Sequence, residues 1–366
     1  MEPLRIGLVG LGTMGRGHLS KETALPEVHI VGVADVDSAA VQSISQTYDI
    51  PGYSSYQDLI KSGTCEAILI ATPHPFHAPI AIEAARHGLH VLSEKPIAVT
   101  VAEADTMLAA TKKAGVLLGV MFQTRTEPQF KLAHDLLTSG AIGLLYRSVM
   151  VASHWYRTQA YYDSGSWRGT WMGEGGGVLM NQSPHSLDMF IWLGGKPSRV
   201  EARTSTRFHR IEVEDTAEAM LDYGGDHTGY LYTTTAEWPG DDRYEFTGER
   251  GKLVIVGRSV RLYRSVERVQ NTIDHLAVWG KPTGAWEDIP VEGEAPGHAA
   301  VVAQFARAVR LGEPMVATGE DGVNSLELGN AIMLSGDLHE SVRLPLDRNA
   351  YDRFIERKRA AVGVTA

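Results

Sequence analysis

One lysine and one histidine in this sequence stand where they could move a proton to or from an alcohol. Lys95 follows the strand-like run 90–93, and His185 follows Ser183-Pro184 at the predicted start of a helix. Oxidising a secondary alcohol needs a base for the hydroxyl proton and a cation or donor that steadies the oxygen. Histidine, which titrates near neutral pH, suits the first role. Lysine suits the second, so the two residues predict redox chemistry at an alcohol carbon.

Each of these residues also has a purely structural explanation. Lys95 could form a surface ion pair with Glu94, and His185, beside an apolar stripe, could be a satisfied core residue. At a helix N-terminus, the positive end of the dipole would keep His185 neutral and able to accept a proton. Asp188, three residues later, could orient the imidazole or bind a substrate hydroxyl.

A glycine turn near the N-terminus indicates the cofactor for such chemistry. The strand-like segment 5–9 runs into Gly10, Gly12 and Gly15, and a second strand ends on Asp35, about 20 residues beyond the third glycine. Glycine there allows the tight turn, the approach of a pyrophosphate and the packing of the next helix, whose N-terminus attracts phosphates. The glycines alone could form an ordinary turn, but the flanking strands favour a dinucleotide site.

The residue at the end of the second strand selects between the two nicotinamide cofactors. Asp35 can accept hydrogen bonds from both hydroxyls of the adenosine ribose, and it would repel a 2′-phosphate. Neither Val36 nor Asp37 offers an arginine to attract that phosphate. The sequence therefore predicts NAD rather than NADP.

Composition narrows the class of protein. The 366 residues exceed what one core usually supports, and 43% hydrophobic with 21% charged residues is typical of a globular protein. A net charge of −10 argues against nucleic-acid or membrane binding. The chain enters its first strand within about five residues, which leaves no room for a signal peptide. With Cys65 as its single cysteine, the protein is expected in the cytoplasm.

The order of strand-like and helix-like segments predicts two domains. Over residues 1–123 strands and helices alternate, which indicates a doubly wound Rossmann sheet that binds NAD. Residues 124–366 contain long alternating segments without crossover helices, which predict a large, open, mainly antiparallel sheet. This second domain, of α+β type, is expected to bind substrate and to form oligomers, and its last helix could pack on either domain. The threonine- and tyrosine-rich strand 228–235 predicts a dimer or tetramer through that sheet.

Aromatic and arginine side chains are concentrated shortly before Gly175-Gly176-Gly177, a second run of glycines. Tyr156, Arg157, Trp167 and Arg168 belong to this group. Aromatic faces stack on the C–H faces of sugar rings, and arginines donate to hydroxyls, although the rings could also fill a junction between domains. Because no lysine cluster accompanies them, an uncharged sugar is expected rather than a sugar phosphate.

Four motifs are spread over nearly the whole chain: Gly10 to Gly15, Ala71-Thr72-Pro73 with His77, Glu94-Lys95-Pro96, and Gly175-Gly176-Gly177 followed by His185 and Asp188. Together they resemble the motifs of the Gfo/Idh/MocA oxidoreductases, a family that includes glucose-fructose oxidoreductase and inositol dehydrogenases. The resemblance implies that Lys95 is catalytic. It also places further residues at the cofactor, namely Thr13, Met14, Thr72, Pro73, His74, His77 and Glu94. No metal site is predicted, because His74 and His77 lack neighbouring ligands.

One position departs from the inositol dehydrogenases. They carry an aspartate four residues before the histidine, whereas this chain has Asn181. Asparagine can bind a sugar hydroxyl but cannot take up a proton. The substitution leaves proton transfer to His185 and Lys95 and indicates a subgroup with its own substrate.

The sequence thus predicts an NAD-dependent oxidoreductase acting on a ring hydroxyl of a sugar, glycoside or inositol. His185 would take the proton and Lys95 would polarise the oxygen. Two alternatives remain. The first is an enzyme that keeps NAD(H) bound and recycles it, for example while oxidising the 3-hydroxyl of a glucoside. The second is a non-catalytic NAD(H) sensor, since dinucleotide folds also serve that purpose.

Overall fold

The structure is a computed structural model that describes residues 1–22 and 24–362. The chain divides into two compact units. Unit 1 comprises Met1–Thr126, Met172–Gly175 and Pro296–Leu326, and unit 2 comprises Glu127–Trp171, Gly176–Ala295 and Glu327–Ala366.

The secondary structure alternates early in the chain and becomes rich in strands later. The strands are β1 (Leu4–Val9), β2 (Val28–Ala34), β3 (Gly52–Tyr53), β4 (Ala67–Ile70), β5 (His90–Ser93), β6 (Leu118–Val120), β7 (Leu145–Ala152), β8 (Arg199–Ser205), β9 (Thr216–Gly224), β10 (His227–Thr234), β11 (Asp242–Gly248), β12 (Gly251–Val256), β13 (Ser259–Ser265), β14 (Gly284–Ile289) and β15 (Val342–Arg343). The helices are α1 (Thr13–Glu22), α2 (Ser38–Tyr48), α3 (Tyr56–Lys61), α4 (His77–Arg86), α5 (Val101–Ala114), α6 (Pro128–Thr138), α7 (Gln159–Asp163), α8 (Pro184–Gly194), α9 (Val269–Ile273), α10 (Gly297–Leu311), α11 (Gly319–Leu338) and α12 (Arg348–Val362).

Unit 1 is built on a six-stranded parallel sheet. The strand order is β3-β2-β1-β4-β5-β6, that of a doubly wound dinucleotide-binding fold. All four residues of β4 are buried, as expected for a strand covered on both faces. The predicted Rossmann sheet is confirmed, and ligands in such folds bind beyond the carboxyl ends of the strands.

A helix from late in the chain completes the core of unit 1. Val301, Val302 and Phe305 of α10 are buried in the same apolar cluster as β1 and α1. Arg307 adds an ion pair to Glu27 at 2.9 Å. Residues 296–326 therefore belong with the sheet of unit 1, whereas the predicted boundary had assigned everything after residue 123 to the second domain. Helix α12 belongs to unit 2.

Unit 2 is built on a nine-stranded sheet. Its order is β14-β13-β12-β11-β7-β10-β9-β8-β15, and every neighbouring pair is antiparallel except β7 and β10, which run parallel. The predicted, mainly antiparallel sheet is confirmed. Helix α8 lies against β7 and contacts α6.

Two kinds of feature are absent from the residues that the structure describes. No helix within residues 1–22 and 24–362 is long and apolar enough to cross a bilayer. In the same ranges, no group of three or more His, Cys, Asp or Glu side chains is arranged to hold a metal ion.

Candidate active site

The three glycines of the first turn meet different surroundings. A side chain at Gly10, whose φ is +98°, would lie 2.6 Å from the carbonyl oxygen of Ala71, and one at Gly15 would lie 1.9 Å from the carbonyl oxygen of Gly10. A Cβ at Gly12 would meet no protein atom within 4 Å. Gly10 and Gly15 are therefore required by packing, and Gly12 borders open space at the carboxyl end of β1. This is the division expected if a diphosphate approaches Gly12.

A pair of glycine variants separates these two roles. Gly12→Ala is expected to leave the melting temperature close to wild type but to weaken NADH binding by about tenfold or more, because its methyl group occupies the phosphate approach. Gly15→Ala is expected to lower the melting temperature, because its methyl group would overlap a backbone oxygen. Thermal melts and NADH fluorescence titrations of both variants test this. Unchanged NADH affinity in Gly12→Ala would contradict the assignment.

Asp35 lies at the end of β2 and is hydrogen-bonded to the glycine turn. Its Oδ2 accepts from the Leu11 N–H at 2.6 Å, and its Oδ1 accepts from the Asp37 N–H at 2.9 Å. Val36 beside it is 93% exposed. The carboxylate is thus held at the place where an adenosine ribose is recognised in this type of sheet.

The charge at this position predicts a switch of cofactor. The double variant Asp35→Ser/Val36→Arg is expected to lower kcat/KM for NAD⁺ by about tenfold or more and to raise it for NADP⁺, because repulsion of the 2′-phosphate is replaced by attraction. Val36→Arg alone is the control, since it retains the carboxylate. Steady-state kinetics with both cofactors measure the change, and an unaltered preference in the double variant would rule out this role for Asp35.

Other predicted cofactor residues line the same edge of unit 1. Thr13 and Met14 form the exposed first turn of α1, where backbone N–H groups lack intrahelical acceptors. The Thr72 Oγ1 after β4 is buried and has no hydrogen-bond partner within residues 1–22 and 24–362. Pro73 next to it is half-buried. A glycine that borders open space, a carboxylate at the end of β2 and a hydroxyl without a partner among the described residues fit a bound dinucleotide.

A buried carboxylate, that of Glu94, supports the loop that carries Lys95. Glu94 is 5% exposed, and its Oε1 lies 2.9 Å from the His18 Nε2 and 3.9 Å from the His298 Nε2. Its Oε2 accepts from the Lys95 N–H at 3.2 Å. Burial by itself would raise the pKa of Glu94, but the hydrogen bond from His18 and the nearby positive charges lower that pKa to about 2. Glu94 therefore stays ionised and fixes the backbone of Lys95.

This buried carboxylate predicts a pH-dependent loss of stability. Because the folded-state pKa of Glu94, about 2, lies below that of an unfolded glutamate, its contribution is present above about pH 4.3 and is lost as the pH falls towards 2. Glu94→Gln is expected to cost on the order of 2 kcal/mol at pH 7, with the difference vanishing in acid. Denaturant unfolding of both proteins across pH measures this. Exposed Glu201→Gln is the control, and a pH-independent difference would contradict the mechanism.

Two histidines expected at the cofactor have backbone partners. His77 is completely buried, and its Nδ1 and Nε2 each lie 2.8 Å from a carbonyl oxygen, those of Pro96 and Thr72. Both nitrogens of its ring have backbone partners, and its contact with the cofactor stays a prediction. His77 braces the two loops that follow β4 and β5. The His74 Nδ1 lies 3.0 Å from the Glu174 carbonyl oxygen, and burial lowers the pKa of His74 to about 3, so that its ring is neutral.

His185 lies in the first turn of α8 in unit 2, as predicted. It is 8% exposed, and Asp188 on the same helix is 1% exposed. Ser183 precedes the helix, as a capping residue would, but its hydroxyl bonds to the Thr233 hydroxyl and does not cap the helix. Helix α8 ends at Gly194. Lys95 belongs to unit 1 and His185 to unit 2.

The predicted arginines of unit 2 gather around Tyr161, which belongs to the same aromatic and arginine-rich segment of the sequence. The guanidinium carbons of Arg157 and Arg168 lie 4.9 and 4.3 Å from the ring centroid of Tyr161. Arg168 also lies 4.7 Å from the Trp167 ring, and its Nη1 donates to the Tyr161 hydroxyl. The predicted Tyr156 is not part of this group and lies edge-on to Trp238 at 6.2 Å.

Two amides complete the surroundings of the Tyr161 hydroxyl. The Asn181 Nδ2 and the Gln182 Nε2 lie 3.4 and 3.1 Å from that oxygen. Asn181 is half-buried, whereas Gln182 is 4% exposed. We name Trp155, Arg157, Tyr161, Trp167, Arg168, Asn181 and Gln182 the arginine–aromatic cluster.

Several supporting residues carried no signal in the sequence. The His209 Nδ1 lies 2.9 Å from the Asp215 carboxylate, and its Nε2 lies 2.8 Å from the Arg157 carbonyl oxygen. His209 therefore fixes the backbone of that arginine. Glu214 accepts from the N–H groups of Gly177, the last residue of the glycine run, and of Leu179. His209 and Glu214 lie 52 and 37 residues from Arg157 and Gly177, so no local pattern indicates these contacts.

Two domain patterns of one sequence family match the chain. The pattern described as oxidoreductase family, NAD-binding Rossmann fold, spans residues 4–122, and the GFO/IDH/MocA C-terminal domain spans residues 130–254. The chain belongs to the Gfo/Idh/MocA oxidoreductase family. The resemblance deduced from the four motifs is therefore confirmed. As expected from the glycine turn and Asp35, the N-terminal part of this family member is an NAD-binding Rossmann domain.

Relatives of this Gfo/Idh/MocA oxidoreductase match over most of their length. The rhizopine catabolism protein MocA of Rhizobium meliloti is 27% identical over 93% of this chain and 98% of that protein. An inositol 2-dehydrogenase of Rubrobacter xylanophilus is 27% identical over 86% and 93%. The WlbA dehydrogenase of Bordetella pertussis, solved with NADH and UDP-GlcNAcA, is 29% identical with a TM-score of 0.79, over 94% of this chain and 100% of that one.

Proposed function

We propose that the protein is an NAD-dependent dehydrogenase acting on a ring hydroxyl of a sugar, glycoside or inositol. The observation that carries the proposal is the buried support of the Lys95 loop by Glu94 and His77, at the same sheet edge as the glycine turn. A surface lysine would need no such support. The relatives named as an inositol 2-dehydrogenase and as a dehydrogenase bound to NADH support the same class of reaction.

The residues divide the proton chemistry between them. His185 accepts the hydroxyl proton, and its place in the first turn of α8 favours the neutral imidazole that can do so. Lys95 donates a hydrogen bond to the same oxygen and stabilises the negative charge that develops as the proton leaves. Nicotinamide, when bound, supplies the hydride acceptor.

Asn181 takes a binding role and no proton-transfer role in this proposal. Its amide already contacts the Tyr161 hydroxyl, and it lies four residues before His185 in the sequence. An amide neither gains nor loses a proton near neutral pH, so it can only orient a substrate hydroxyl.

The test is a substrate panel with the purified enzyme. Inositols, aldoses, uronic acids and glucosides are incubated with NAD⁺ or NADP⁺, and NADH absorbance is followed from the start, so that cofactor already bound is also recorded. Reduction of NAD⁺ by at least one cyclic polyol is expected. If no compound reduced added or bound cofactor while NADH still bound, the protein would be a sensor and the proposal would fail.

We also propose that the protein is a cytoplasmic homo-oligomer. Met220 on β9 and Trp238 after β10 are 58% and 77% exposed, which favours a covered surface on unit 2 in the assembled protein. Cys65 is buried and, as the single cysteine, is compatible with a reducing compartment. Light scattering that found only monomer at micromolar concentration would contradict the oligomer.

A further inference from the structure

Two positive charges share one aromatic surface in unit 2. The guanidinium carbons of Arg157 and Arg168 lie 4.9 and 4.3 Å from the Tyr161 ring centroid, so they are no farther apart than the sum of those distances. Each also lies over an indole, at 5.6 Å for Trp155 and 4.7 Å for Trp167. Contacts of this length hold a guanidinium against a ring and restrict its rotamers.

No carboxylate among the described residues neutralises this pair. The Arg157 Nη1 donates to the Tyr156 carbonyl oxygen and the Arg168 Nη1 to the Tyr161 hydroxyl, and within residues 1–22 and 24–362 neither guanidinium forms an ion pair with an acidic side chain. Asp163, which lies close to both arginines in the sequence, accepts from Gln159, and the buried Asp215 accepts from His209. Arginine cannot lose its proton in a protein, so the two guanidinium groups repel each other in a half-buried place. Such an arrangement is stabilised when an anion binds.

Polar atoms in the same cluster also lack partners. The Arg157 Nε, the Trp155 Nε1 and the Gln182 Oε1 are buried without a hydrogen bond among the described residues. A buried polar group left unpaired destabilises the protein, and a ligand that supplies the missing hydrogen bond removes that cost. Two of the three atoms are N–H donors, as an anionic oxygen requires, and the third can accept from a sugar hydroxyl.

We propose that the arginine–aromatic cluster binds a carboxylate or phosphate group of the substrate, so that the substrate is an acidic sugar or a sugar phosphate. This inference rests on the proposed function and narrows its substrate class. The sequence had favoured an uncharged sugar because lysines are missing. Arginine, however, recognises carboxylate and phosphate oxygens through paired N–H donors, and the backbone of Arg157 is held by His209.

Binding to the NADH-saturated enzyme tests the proposal directly. Calorimetry compares matched pairs: glucose with glucuronate, galactose with galacturonate, and glucose with glucose 6-phosphate. At least one charged compound is expected to bind about tenfold or more tightly than its neutral partner, with an advantage that shrinks as salt is added. The uronate and phosphate pairs decide which anion is recognised. The proposal is overturned if no charged compound binds better than its partner.

Variants locate the effect in the cluster. Arg157→Gln and Arg168→Gln are expected to remove the advantage of the charged compound, and Arg168→Lys, which keeps the charge but not the paired donors, to retain part of it. Arg203→Gln, at an exposed position of β8, is the matched control and should keep the wild-type ratio. Thermal melts verify folding. A preference that survived both glutamine variants would place the anion elsewhere and refute the proposal.

Rates with NAD⁺ separate this inference from the proposed function. If neutral sugars reduced NAD⁺ as efficiently as their acids, the dehydrogenase would stand and the anion site would fall. If acids bound through Arg157 and Arg168 but no compound reduced cofactor, the anion site would stand and the dehydrogenase would fall.

Discussion

Lys95→Met is expected to lower kcat by about 10²–10³-fold, because the variant loses the donor that stabilises the alkoxide-like oxygen. Methionine has a similar length and no charge, so the variant should still fold. Its backbone bond to Glu94 does not involve the side chain and is retained. Stopped-flow and steady-state rates of NADH formation measure the loss.

NADH binding distinguishes a catalytic defect from a general one. Lys95→Met should bind NADH with nearly wild-type affinity in a fluorescence titration, and exposed Lys113→Met on α5 should match wild type in both assays. Normal turnover by Lys95→Met would remove this residue from the mechanism. Loss of NADH binding together with turnover would assign Lys95 to the cofactor instead.

His185→Ala is expected to lower kcat by about 10²–10⁴-fold, the range associated with loss of a positioned general base. The substitution leaves space for a small base in the first turn of α8. Added imidazole should therefore restore part of the activity, which a structural role for His185 would not allow. The measurement is the rate of NADH formation as imidazole is titrated.

A second histidine on unit 2 provides the control. His275 is exposed, and His275→Ala is expected to retain wild-type rates with no response to imidazole. Full activity in His185→Ala would exclude the residue as the base and would return attention to Asp188 on the same helix. A variant that lost activity and could not be rescued, but melted normally, would indicate that imidazole cannot enter the site.

The local sequence pattern was sufficient to predict most of the fold of unit 1. The buried run of β4 and the spacing from the glycine turn to Asp35 each report a short-range constraint that any doubly wound sheet imposes. Strand β3, with only two residues, was missed because such a length leaves no periodicity to detect. The sequence placed His77 beside the cofactor, but it could not show that two backbone carbonyls, 5 and 19 residues away, occupy both ring nitrogens.

In unit 2, contacts between distant segments limited what the sequence could predict. The alternation of β7 and β10 predicted strands, but nothing local indicated that these two run parallel among antiparallel neighbours. Strand β14 was missed because its residues are almost all exposed and so lack an apolar face. The arginines were found by type, whereas their convergence on Tyr161 depends on a tertiary arrangement that spacing alone does not encode.

The position of α10 has a consequence for biosynthesis. Its apolar side chains fill the core beneath β1, yet they are translated roughly 300 residues after that strand. The strands of the nucleotide-binding sheet therefore emerge from the ribosome before one of their covering layers has been synthesised. Their apolar surface stays exposed until most of unit 2 has been made. A fragment ending at Thr126 would keep this surface permanently uncovered and should depend on chaperones or aggregate.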